Sequence, residues 1–172
     1  MIKPLSRRHY KISPKIRIVQ NIGSGTHRFK DIFIGFEEVD AVKNIFGEKV
    51  SEELESLRVE VFPREGYMGV SDHDGHIVAS QNYLNDGEEW CIYLDVVHEL
   101  VHVRQFKEGK ELFDPKYDYV DRPTEIEAYQ IGTEEARRIG LSEKEIFQYL
   151  EVPWVTKDEL RRLAVACQVK VN

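Results

Sequence analysis

The sequence predicts an α+β fold in one domain spanning residues 1–172, sheet-rich over 1–87 and helical over 88–172. Three observations lead there. Residues 57–62 alternate apolar and charged side chains, the period of a half-buried strand. Asp74-Gly75 is a strong turn signal between two strand-like runs, which reads as a hairpin. From Glu88 to about Lys107 there is neither Gly nor Pro, and apolar residues recur at helical spacing. The expected architecture is a short mixed or antiparallel sheet packed on that helix, followed by a helical C-terminal part.

Along the chain, Ile16–Val19 has the composition of a short strand. Gly23-Ser24-Gly25 marks a flexible turn, too short and without the following Lys of a phosphate loop. Phe36 or Glu37 to Phe46 reads as a helix stopped by Gly47. Ser51–Leu57 reads as another, capped by Ser51 with Leu54 and Leu57 turned inward. Leu57–Phe62 is a strand ending at Pro63, and Tyr67–Val70 and His76–Leu84 form the hairpin. Asp72, His73, Asp74 and His76 in its turn have the makings of a second metal site or half a calcium loop. No matching Glu completes the latter, and a plain turn is the preferred reading. Ser142–Glu151 and Thr156–Cys167 open on capping boxes, Ser142 with Glu145 and Thr156 with Glu159, and Val152-Pro153 separates them. The tail, residues 168–172, alternates like a strand.

Composition narrows the function classes. Hydrophobic content of 41%, charged content of 32% and a net charge of −7 are those of a soluble globular protein without a basic stripe, which argues against nucleic acid as a partner. Arg7-Arg8-His9 is too short to count. Cys91 and Cys167 are the only cysteines and suggest no disulfide framework. Residues 1–15 are basic without an apolar segment, and no run is long enough to cross a membrane, so a cytoplasmic location and no membrane partner are expected.

The most informative stretch is His98-Glu99-Leu100-Val101-His102. Residues four apart on a helix share a face, so the two imidazoles can grip one metal ion. Glu99 then lies beside the ion's open position, where it can take a proton from a bound water. Cys91, Asp95, His98, His102 and Gln105 form a mostly polar stripe expected to face a cleft. A catalytic zinc needs a third protein ligand. Asp121 is placed to cap a second helix, with Pro123 in its first turn and Gly140 at its end. Two glutamates on it compete. Glu127 shares its side with Gln130, Glu134 and Arg138, a solvated face. Glu125 shares its side with Ala128, Tyr129, Gly132 and Ala136, which permit close helix approach, so the face argument selects Glu125.

H-E-L-V-H followed by E-I-E-A-Y at Glu125–Tyr129 resembles the gluzincin branch of the zincin metallopeptidases, over roughly residues 76–138. The resemblance implies a small zincin-like domain, Zn²⁺ as cofactor, a peptide or protein substrate, and a glutamate ligand three positions before an Ala, which is Glu125. It also implies an acidic partner for a ligand histidine four positions after that Glu, where this chain has Tyr129. The third His of metzincins is missing, since no His follows His102. The expected activity is peptide hydrolysis by a zinc-bound water that Glu99 activates. Tyr117, Tyr119 and Tyr129, with His73 or His76, are candidate oxyanion donors, and His76–Leu84 is the expected strand edge for substrate. The rival reading is a catalytically weak or latent zinc-binding regulatory module of the same fold, with latency supplied by residues 168–172 in the cleft or by Cys167 on the zinc. For the tail, packing on the surface is preferred.

Overall fold

The computed structural model describes residues 10–170, so Arg7-Arg8-His9 and the last two residues of the tail lie outside it. The fold is mixed α+β, with more helix than strand. Strands β1 (Arg17–Ile18), β2 (Gly25–Arg28) and β3 (Phe33–Ile34) come first, with a single turn, α1 (Phe29–Ile32), between the last two. Helices α2 (Asp40–Phe46) and α3 (Val50–Ser56) follow, then β4 (Arg58–Phe62), β5 (Met68–Val70) and β6 (Ile77–Ser80). The rest is helical: α4 (Gln81–Asp86), α5 (Glu89–Lys107), α6 (Pro123–Ile139), α7 (Glu143–Leu150) and α8 (Lys157–Ala166). No helix among the described residues is long and apolar enough to cross a membrane.

The main sheet runs β2-β4-β6-β5. β4 and β6 are parallel, with Val59 opposite Ile77, and the outer pairs are antiparallel. β1 and β3 form a separate antiparallel pair. The alternation in β4 buries Val59 and Val61 and exposes Arg58 and Glu60, as its period requires. β2 was not expected, because Gly25 was read only as part of a turn. The strand reading of His76–Leu84 is half right. Ser80 accepts from the Tyr83 amide and starts α4, so the chain turns helical where apolar content alone suggested continued strand. β6 is also an interior strand, and the edge strands are β2 and β5.

Two expected caps are corrected. Ser51 lies inside α3, which begins at Val50 and has no side-chain cap. Asp121 lies in a 3₁₀ turn and pairs with Arg162 at 2.9 Å rather than capping α6, whose N-cap is Arg122. The expected helix from Phe36 or Glu37 breaks into a 3₁₀ turn and α2. Both capping boxes, at Ser142 and Thr156, are formed. The tail is not a strand as far as Lys170. The Val169 amide bonds the Ala164 carbonyl, its side chain is buried, and the Lys170 amide bonds Glu143, which packs this part on the surface beside α7.

α5 is the axis of the molecule. Leu94, Val96, Val97, Leu100 and Val101 are wholly buried. Burial of such side chains stabilises by about 1.5–3 kcal/mol each. α6 packs along α5, and Phe29, Phe33, Phe36 and Tyr93 form an aromatic cluster on another side. β5 approaches α5 as well. The polar stripe of α5 is therefore largely buried. Asp95 accepts from the Tyr83 and Tyr149 hydroxyls, and His98, His102 and Gln105 are buried.

Candidate metal centre

His98 and His102 stand one turn apart on α5, and Glu125 comes from the first turn of α6. The two Nε2 atoms are 3.0 Å apart, and Glu125 Oε2 lies 3.2 Å from the first and 3.3 Å from the second. All three side chains are buried, 5–6% exposed. A tetrahedral ion with bonds of roughly 2.0–2.1 Å separates its donors by about 3.3–3.4 Å, so the spacing fits one small cation. Among the described residues, these three are the one group of His, Cys, Asp and Glu so arranged.

The unpaired atoms point the same way. His98 Nδ1 and Glu99 Oε2 are buried without hydrogen-bond partners. An unsatisfied buried polar group costs about 1–3 kcal/mol, more if charged, so an unpaired Glu99 oxygen is kept at a cost beside the three converging donors. A cation between the two Nε2 atoms and Glu125 would offset the buried negative charge. Without one, His102 and Glu125 face each other as an ion pair at 3.3 Å. Burial opposes charge on both groups, but the Glu125 hydrogen bond and nearby carboxylates hold His102 up at about 9. Hydrogen bonds from both histidines hold Glu125 down at about 2 against the same burial. Burial pushes the Glu99 carboxyl above the ordinary range, which the histidine charges only partly oppose.

The three groups and Glu99 line a cleft of about 150 Å³, walled by Met68, Gly69 and Val70 of β5 and by Leu112, Phe113, Tyr119 and Trp154. A larger cavity of about 260 Å³, lined by Asp40, Arg104, Glu135 and Arg138 among others, touches none of these groups. Tyr119 is the one candidate oxyanion donor in the wall of the cleft. Its hydroxyl meets the Tyr129 hydroxyl at 2.8 Å, and burial keeps it protonated well past its ordinary value. Tyr129 packs its ring 4.4 Å from that of His98 but does not accept from it, since His98 Nδ1 has no partner. Tyr117 is exposed and does not line the cleft. His73 is exposed, and His76 is held by Asp74 and Glu60. Neither histidine lines the cleft. Cys167 is buried beside Arg137, outside the metal group.

Glu127 is not simply solvated. It takes hydrogen bonds from Gln105, Arg104 and Lys110. Gln105, its partner on α5, was read only as a member of the polar stripe. The spacing of three residues from His102 was the available signal. The cleft wall had no such signal, because Met68, Leu112 and Trp154 come from segments far apart in the chain. No protein-family model matches the chain, and no curated protein or solved structure matches it either.

Proposed function

We propose that this protein is a zinc-dependent peptidase of the gluzincin type, in a small zincin-like fold, with His98, His102 and Glu125 as metal ligands and Glu99 as general base. The observation that carries the reading is the conjunction of three donors within 3.3 Å and an unpaired, buried Glu99 in one cleft. Zinc held there would supply Lewis acidity, lowering the pKa of a water in the cleft towards neutrality and polarising a carbonyl. Glu99 accepts the proton from the attacking water at its free Oε2 and later delivers it to the leaving amine. Its surroundings suit both roles, because burial raises its basicity. Tyr119 offers a neutral O–H to the developing oxyanion. β5, the edge strand that walls the cleft, replaces β6 as the strand against which an extended peptide would pair.

One observation favours a second reading, a latent or regulatory metal-binding module. The cleft is narrow, and Trp154 at its rim meets Tyr67 and Tyr119 edge-on, at 5.2 and 6.1 Å between ring centres. The deciding experiment is metal analysis of untagged protein combined with a peptide-library cleavage assay of the parent and Glu99→Gln. Peptidase function requires about one zinc per chain in both proteins, with cleavage by the parent alone. Equal cleavage by the two would overturn the mechanism, and zinc without cleavage would leave the regulatory reading.

A further inference from the structure

We propose that Gln105 is a positioning residue that fixes His102 as its Nδ1–H tautomer, and that Glu127 is the anchor that makes Gln105 do so. The metal consequences rest on the function proposed above, whereas the tautomer itself does not.

Gln105 is fully buried, and one end of its amide faces two groups that can only accept. These are the Thr124 carbonyl at 3.0 Å and the Glu127 carboxylate at 2.7 Å. That end is therefore the NH₂. The other end, the amide oxygen, lies 2.7 Å from His102 Nδ1 and can only accept. His102 must then carry a proton on Nδ1, which leaves Nε2, facing His98 Nε2 and Glu125, as the nitrogen whose lone pair is available to a cation. Glu127 in turn is held by Arg104 and Lys110, with the Lys110 ammonium at 3.4 Å.

Two glutamates two residues apart on α6 thus divide the work. Glu125 reaches the ion, and Glu127 holds the amide that aims a histidine at it. The chemistry also says why residue 105 is an amide and not the carboxylate often found behind a ligand histidine. A Glu at 105 would set its charge against Glu127 and lose both donations. His98 has no counterpart of this support, since its Nδ1 is unpartnered.

The test uses the reciprocal swap. In metal-free protein at pH 10, ¹⁵N NMR of histidine-labelled parent should show His102 protonated at Nδ1, and Gln105→Met should lose that preference. Zinc affinity, measured by competition with a chromophoric chelator, should fall about 10–100-fold in Gln105→Met. It should fall comparably in Gln105→Glu, and less in Glu127→Gln. The double variant Gln105→Glu/Glu127→Gln keeps an acceptor for His102 and replaces the opposing carboxylate at 127 with a donor, so it should bind zinc more tightly than Gln105→Glu alone. An Nδ1–H tautomer retained in Gln105→Met overturns the proposal, as does a swap no better than Gln105→Glu. If the parent takes up no zinc, the metal reading fails, and the tautomer measurement still decides the role of Gln105.

Discussion

Two clusters of histidine and acid occur in this chain, at residues 72–76 and across α5 and α6, and they differ in what holds them. In the first, His76 lies between Asp74 and Glu60 on the surface, each ring nitrogen already facing a carboxylate. In the second, two imidazoles and two carboxylates are buried, and two of their polar atoms, His98 Nδ1 and Glu99 Oε2, have no partner. Residue type is the same in both. The turn satisfies its own groups, whereas the helices, fixed by apolar packing, hold donors at a spacing that only a proton or cation completes. Rigid placement and unmet bonding, rather than composition, make the candidate site.

The largest expected effect is on metal. Glu125→Ala and His102→Ala should each lower zinc content from about one per chain towards zero. Glu127→Ala and Asp74→Asn should keep the ion, although Glu127→Ala weakens its hold through Gln105. Metal analysis after dialysis against a mild chelator reads all four. Zinc lost with Asp74→Asn would reverse the contrast between the clusters.

Next comes the backbone joining the two regions. Gly75 has φ +78°, and a Cβ there would run into the Phe106 ring of α5. Gly75→Ala should destabilise by about 1–2 kcal/mol from the left-handed backbone alone, more if Phe106 cannot turn aside. Urea denaturation measures it, and an unchanged midpoint would mean that the turn is not pinned against α5.

The clusters should also answer differently to pH and salt. In metal-free protein, His102 is raised from 6.5 to about 9, so its contribution is full below pH 6.5 and is lost as pH rises through 9. Glu125 is lowered from 4.5 to about 2, so its contribution is full above pH 4.5 and is lost as pH falls through 2. The two share the His102–Glu125 contact, and His98 also holds Glu125. Stability should therefore peak between about pH 4.5 and 6.5, and His102→Gln should remove the alkaline shoulder and reduce the acid one. Salt should barely move them, because the pair is buried. Shoulders that vanish in high salt would place the titration on the surface.

How far this could be read in advance follows the range of the interactions. The bounds of α5 and the end of α6 at Gly140 were legible, because helical spacing and stop signals are local. The choice of Glu125 over Glu127 was legible too, from the small residues on its face. Asp121 was misread because Arg162 of α8 pairs with it, which local capping rules do not contain. The free edge was misassigned because strand order is set by long-range pairing, and β6 lies between a parallel and an antiparallel neighbour. Gln105 was in plain view, but its role depends on which way Glu127 of another helix points.

The smallest effect belongs to the surface turn. His76→Gln removes a ring that bridges Asp74 and Glu60, two half-exposed carboxylates. Exposed pairs of this kind contribute about 0–1 kcal/mol and are screened by salt. Gln can still donate to one of the carboxylates, and the turn is closed independently by the Gly75 amide on the Ser71 carbonyl and the Ser71 amide on the His76 carbonyl, both 2.9 Å. The expected change is within about 0.5 kcal/mol, vanishing in high salt, with zinc content unchanged. A larger loss that persists in salt would mean that His76 is locked into the sheet through Glu60 of β4, and the turn would then share the rigidity that distinguishes the buried centre.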